Sequence, residues 1–361
     1  MRPLSKLRAG DWVEVRGEDE ILRTLDANGE IDGMPFMPEM LKFCGKRFRV
    51  WKRAHKTCDT VHKTGGRWLD ATVHLEELRC DGSSHGGCEA ACLLFWKHAW
   101  LKPVDGPDGA RSDERPSPAR AIRNDRQLGP DDLARCTRAD PGGAEDVSVY
   151  RCQATRLPAA TRPLAWWDVR QYVLDVTSRN VTVGRVLSSF CYSVVFAIGQ
   201  AGIGLGRPVR ALYDAFQRLR GGIPWPRRRG SIPAGAPTPV ADLGLQPGEW
   251  VRVKPLPEIL STLDSNNKNR GLYFDCEEVP FCGGRYQVKG RVTRIIDERS
   301  GRMMDMKTPS VILAGVYCEA RYSDRRLFCP RAIHPMWREI WLERAPAPSP
   351  RQSRGSESSG A

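Results

Sequence analysis

LRAGDWVEV at residues 7–15 and LQPGEWVRV at 245–253 are two versions of one opening. Each reads Leu, Gly, acid, Trp, Val, then Val again. Gly10 or Gly248 turns the chain, and the alternating Trp and Val positions predict a strand. The likeness continues outward. EILRTLD at 20–26 answers PEILSTLD at 257–264, a short helix with Pro257 in its first turn. Gly33 and Phe36 answer Gly271 and Phe274. FCGKRF at 43–48 answers FCGGRY at 281–286. The offset stays at 238 from Gly10 to Val50, so the chain is read as an internal duplication.

Past residue 50 the copies diverge but keep a frame. TVHLEELRC at 72–80 answers SVILAGVYC at 310–318, and Asp70 answers Asp305. Cys88 answers Cys329 after a three-residue insertion. At the new offset of 241, Trp96 and Trp100 answer Trp337 and Trp341. The closing segments LFWKHAWLKPV (94–104) and PMWREIWLERA (335–345) read as final strands, or a short turn followed by a strand, with their tryptophans in a core. The expected fold is β-rich with α: tandem modules at 1–104 and 244–346 flanking a mainly helical middle region at 147–222. Linkers fall at 105–146 and 223–243, and a disordered tail at 347–361.

Within the middle region, 147–157 reads as a strand. A helix over 163–178 has Trp167, Val169, Tyr172 and Val173 as its buried face. The uncharged run 186–206 is long enough to span a bilayer, yet a span would put related halves in different compartments. It is therefore expected to be a buried helix or helical hairpin, with peripheral membrane contact through 186–206 as the other reading. A further helix over 206–222 carries Val209, Leu212, Tyr213, Phe216 and Leu219 on one face.

The opening strands GDWVEV and GEWVRV resemble those of SH3-like barrels of the KOW type, where Gly-x-x-Val-x-Val begins a small curled sheet. The resemblance covers about a dozen residues of each copy. It implies a small β-barrel-like module per copy and brings no functional residue with it.

Twelve cysteines occur, with no secretory signal in MRPLSKLRAGDWVEV, so the expected location is cytoplasmic and a disulfide framework is disfavoured. Cys44, Cys80 and Cys88 match Cys282, Cys318 and Cys329. Diverged copies exchange Val, Ile and Leu freely, whereas a ligand resists exchange. Cys92 and His334 supply a fourth position in each copy. The candidate metal sets are Cys44/Cys80/Cys88/Cys92 and Cys282/Cys318/Cys329/His334, with Cys58 and Cys276 as spares. His55, His62, His74, His85 and His98 could add a ligand. Close Cys-x2-Cys pairs are absent, which places an iron–sulfur cluster slightly ahead of zinc. Buried structural thiols and redox pairs are the competing readings. The matched Arg47 and Arg285 are candidates for binding an acidic cofactor or ligand.

No P-loop, H-E-x-x-H or G-x-S-x-G is present. The formal net charge of +13 and the stretch RFRVWKRAHK at 47–56 suit a nucleic-acid surface. The function classes are thus a metalloprotein, with or without catalysis in a specialised biosynthetic pathway, a metal-stapled module for nucleic acid or protein, and a scaffold that docks a partner.

Overall fold

The computed structural model describes residues 6–107, 128–139, 149–201, 204–323 and 325–347. Most of the expected 105–146 linker and all but the first residue of the tail lie outside these. Within that linker, Pro130–Cys136 is a helix.

The duplication is legible in strand order. In the first sheet, neighbours run Trp96–Lys97, Thr72–Leu75, Arg47–Arg53, Trp12–Val15, Leu101–Val104. In the second they run Trp337–Arg338, Met303–Leu313, Arg285–Ile296, Trp250–Val253, Leu342–Arg344. The register repeats as well. Trp12 faces Arg49 and Trp250 faces Gln287; Val15 faces Leu101 and Val253 faces Leu342. Val73 faces Trp96 and Val311 faces Trp337. Neither sheet closes into a barrel among the described residues, so the barrel-like form expected from the opening strands is replaced by open five-stranded sheets.

The recurring Phe-Cys-Gly ends a two-turn 3-10 helix, Pro38–Phe43 in one copy and Cys276–Phe281 in the other. The Cys44 N–H closes that helix on the Leu41 carbonyl at 3.0 Å, as Cys282 does on Val279 at 3.1 Å. Gly45 and Gly283 then adopt left-handed backbone (φ 71° and 80°). Each donates its N–H to the last residue of the opening strand, Val15 or Val253, at 2.9 Å. Glycine suits this turn because a side chain is strained at positive φ.

Each copy is cored by the same aromatic cage. Phe36 meets Trp100 edge-on at 5.1 Å and Trp96 at 6.2 Å; Phe274 meets Trp341 at 5.3 Å and Trp337 at 6.2 Å. The four tryptophans are fully buried. The indole N–H of Trp100 donates to Thr24 Oγ1 and that of Trp341 to Thr262 Oγ1, which satisfies the one polar atom each ring brings into the core.

The compact units do not coincide with the two copies. One unit comprises Met1–Val194 with Arg294–Asp305 and Glu319–Ile333; the other comprises Val195–Thr293, Met306–Cys318 and His334–Ala361. Two stretches of the second copy therefore belong to the first unit. These units do not follow the expected module boundaries at 104 and 244.

The middle segment departs from expectation. Gln153–Ala160 is helical where a strand was expected. The Gln153 amide holds it in place: its Nε2 donates to the Pro35 and Phe95 carbonyls at 3.1 and 2.9 Å, and its Oε1 accepts from the Phe95 N–H at 2.8 Å. Helix Val169–Thr177 buries Gln171 and Asp175 instead of Trp167, Val169 and Val173, which are more than half exposed. The cause is a charge partner. Buried Lys56 reaches Asp175 at 2.6 Å, and His55 Nε2 lies 3.4 Å from its other oxygen. Burial raises the Asp175 carboxyl to about 6 against the pull of Lys56, and lowers Lys56.

Helix Val183–Gln200 is likewise not the buried helix expected: only Ser189 and Tyr192 are buried. It is the one helix among the described residues long and apolar enough to cross a membrane. Helix Gly206–Arg220 buries none of its residues.

Candidate metal centre

Residues Cys80 to Cys92 form a loop of the first unit that brings chemistry together. Its base is fixed by the Cys80 N–H donating to the Cys92 carbonyl at 2.8 Å and by a bridge between Arg79 and Leu93. Between them, Asp81-Gly-Ser-Ser-His-Gly-Gly-Cys88 folds back on itself. A Cβ on Gly82 (φ 72°) would stand 2.1 Å from the Cys88 carbonyl oxygen, so no other residue fits without moving the backbone. The reversal carries His85 inward, where it is buried.

Glu39, buried in the 3-10 helix Pro38–Phe43, faces this loop. Cys80 Sγ lies 3.3 Å from His85 Nε2 and 3.4 Å from Glu39 Oε1. One donor atom from each of the three falls within 4.8 Å of the others. Ser84 Oγ donates to Glu39 Oε2, and the Gly82 N–H donates to Cys80 Sγ at 3.3 Å. Burial, the Glu39 carboxylate and Cys92 together push the Cys80 thiol far up. Burial pushes His85 down, with Glu39 pulling partly the other way, so the imidazole is neutral at pH 7. Without a cation the trio holds a protonated thiol; a positive ion at its centre would reverse that preference.

Cys80, His85, Cys88, Cys92 and Cys152 line one cavity of about 40 Å³. This is the volume of about two or three water-sized groups. Cys92 is raised to about 12 and Cys152 to about 11, in both cases chiefly by burial. The Ile296 N–H donates to Cys88 Sγ at 3.4 Å.

Of the first candidate set, Cys80, Cys88 and Cys92 thus share the cavity, whereas Cys44 is not among its lining residues. Cys44 is half-buried against the core and raised to about 11 by burial and by Glu18. The second set is dispersed. Cys282 packs in its own unit's core, raised to about 12 by burial and by Glu278. Cys318 is half-buried in that unit. His334 Nδ1 lies 2.7 Å from the Val316 carbonyl and its Nε2 3.5 Å from Lys289 Nζ. Cys329 belongs to the first unit, with its Sγ accepting from the Cys58 N–H at 3.1 Å. Cys276, the other spare, is half-buried and pushed up by burial.

Among the histidines, His55, His74 and His98 are buried. His55 Nε2 lies 3.1 Å from the Gln171 carbonyl and His74 Nδ1 2.9 Å from that of Leu94. Arg47 pairs with Glu14 at 3.1 Å and donates to the Pro107 carbonyl, while Arg285 is exposed opposite Arg252. The stretch 47–56 offers no continuous basic surface, since Lys56 is buried, Arg47 is paired and Lys52 Nζ sits 4.4 Å over the Trp51 ring.

Sequence reasoning did not find Glu39 or Cys152. Glu39 lies four residues before the Phe-Cys-Gly, in a segment read only for its aromatic residues. Cys152 arrives from 60 residues downstream of Cys92, with no spacing to connect them. His85 stood out only as one of five clustered histidines. Its place at the first offset is taken by Ser323 in the second copy, and at the second offset by Arg326.

No known protein family matches the chain, and no curated protein matches it.

Proposed function

We propose that the protein binds a single thiophilic divalent ion, zinc being the best fit, through Glu39, Cys80 and His85. The observation that carries this reading is the spacing of the three donors. Ligands at roughly 2.0–2.3 Å around a tetrahedral zinc stand about 3.5 Å apart, close to the 3.3 and 3.4 Å found here. The mixed oxygen, nitrogen and sulfur donors and the small cavity favour one ion over an iron–sulfur cluster, which takes mostly thiolates. Cys88, Cys92 or Cys152 would supply a fourth ligand or leave that position to water. Three protein ligands with an open fourth position is the arrangement of catalytic zinc, so a hydrolytic metalloenzyme and a structural zinc protein are separated by that one ligand.

The test is metal and sulfide analysis of protein purified without oxygen, for the natural chain and for Cys80→Ser and His85→Ala. One zinc per chain, lost in both variants, is the expected result. Acid-labile sulfide with a coloured protein would replace the ion by a cluster. Full metal content in both variants, or none in the natural chain after exposure to zinc, would end the proposal.

A further inference from the structure

Helix Gly206–Arg220 has an unusual balance of faces. At 100° per residue, Leu205, Val209, Leu212, Phe216 and Leu219 form one stripe, and Arg207, Arg210, Asp214, Gln217 and Arg218 the opposite one. An amphipathic helix of a folded domain normally turns its apolar stripe inward. This one does not: Leu212 is 73 % exposed, Phe216 51 % and Leu219 89 %. The helix is held along its side. Tyr213 packs edge-on against buried Trp225 at 5.2 Å, and Asp214 accepts the Trp225 N–H at 2.7 Å while its other oxygen pairs with Arg228. Those contacts fix the rotation of the helix and leave the apolar stripe facing outward.

The surrounding charge has one sign. Residues 205–230 contain seven arginines, Arg207, Arg210, Arg218, Arg220 and Arg227 to Arg229, against the single acid Asp214. Arg220 holds its guanidinium over the exposed Phe216 ring at 5.4 Å, which puts positive charge directly beside the apolar stripe.

We propose that this helix is an interfacial membrane anchor that lays Leu212, Phe216 and Leu219 into the surface of an anionic phospholipid bilayer, with its arginines at the headgroups. A bilayer surface offers acyl carbon for the stripe and negative charge for the rim in one plane, and both signals are needed for firm attachment. A second copy of the chain fits less well. It would cover the stripe but offer no negative charge to the seven arginines. The inference is independent of the metal proposal.

The experiment is sedimentation of the full chain with two kinds of vesicle, phosphatidylcholine alone and phosphatidylcholine with phosphatidylserine. Binding is expected to the anionic vesicles only, and to fall at least tenfold when salt rises well above physiological strength. Phe216→Asp with Leu219→Asp should lower binding at least tenfold while leaving the circular dichroism spectrum and melting curve unchanged, since both side chains are exposed. Absence of binding, equal binding to neutral vesicles, or full binding by the double variant would overturn the proposal. So would a concentration-dependent dimer that the double variant abolishes in lipid-free solution. Attachment that resists high salt and alkaline carbonate would overturn it in favour of insertion by Val183–Gln200.

Discussion

The backbone N–H of Cys58 donates to the sulfur of Cys329 at 3.1 Å, across 271 positions of chain. Both residues are buried. Beside them, buried Arg331 pairs with Glu298 at 2.6 Å and donates to Thr60 Oγ1 at 3.0 Å, and Arg79 donates to the Ala332 carbonyl. Residues of the second copy thus complete the interior of the first unit. A fragment ending near residue 200 should therefore lack a cooperative thermal transition, although it contains the whole first copy. Arg331→Ala in the full chain should cost on the order of 3 kcal/mol, because it leaves Glu298 without its buried partner. Circular dichroism melting checks both. A sharp transition in the fragment, at the temperature of the intact chain, would show that the later segments are dispensable.

Metal affinity should rise with pH. The Cys80 thiol is held protonated by burial and by Glu39, so an ion that binds its thiolate must displace a proton. Apparent affinity should climb about tenfold per pH unit over the neutral range. His85 is pushed below the usual histidine range and is already neutral there, so it adds no second proton to this slope. Zinc titrations against a chromophoric chelator at several pH values measure the slope, and a flat profile would exclude Cys80 as a ligand.

Gly82→Ala should disrupt the loop that joins Cys80 to Cys88. The added carbon meets the Cys88 carbonyl at 2.1 Å, and the residue sits at positive φ. A loss of roughly 2 kcal/mol or more in stability is expected, with reduced zinc content. Gly87→Ala is the control: its φ is equally positive but nothing lies within 4 Å of the new carbon, so its cost should be about 1 kcal/mol.

Acid should unfold the first unit through its buried histidines. His55 and His74 are lowered to about 3 and His98 to about 4, each mainly by burial. The unfolded chain binds protons near pH 6.5 where the native one does not. Stability is therefore full above about pH 6.5 and is lost as pH falls towards 3–4. Each of the three is worth on the order of 3–5 kcal/mol across the whole window. Asp175, raised to about 6, works in the opposite sense: its contribution grows as pH falls below 6. The three histidines outweigh it. Denaturant titrations at pH 7 and pH 5 should give a lower midpoint at pH 5, with the difference reduced in His74→Phe.

The matching indole hydrogen bonds should have matching worth. Trp100→Phe and Trp341→Phe each remove one donor from a half-buried threonine hydroxyl and keep most of the ring. Each should cost about 1–2 kcal/mol. A near-zero effect in one copy would mean that its cage has diverged in energy while keeping its geometry.

How much of this was readable in advance depends on how local the cause was. The constant offset of 238 carried the register, because Trp12, Val13, Arg47 and Phe48 pair within one sheet and repeat as a set. The insertion before Cys329 was also visible, since the tryptophans beyond it shift by the same three residues. The pattern failed where a distant group decided the outcome. The helix at 169–177 turns Asp175 inward because Lys56 and His55, over a hundred positions earlier, await it there. Cys152 reaches the thiol-lined cavity because Gln153 is bound to the backbone on both sides of it. Cys44 is a candidate ligand because it recurs; the turn beside it accounts for the recurring glycine, which takes left-handed backbone at the end of a 3-10 helix.

The partition of the chain between its compact units also bears on biosynthesis. The first unit begins at residue 1 but is completed only by Ile333. When Val194 has been made, the ribosome must add 139 more residues before the last missing segment exists. At roughly 5–20 residues per second this is a delay on the order of 10–30 s. Throughout it, the pocket for Cys329 and Arg331 stays open and the thiols of Cys58, Cys88 and Cys92 are unprotected by their final neighbours. The nascent chain is thus a species with its own vulnerabilities, and a holdase or an early metal ion would have its largest effect during that interval.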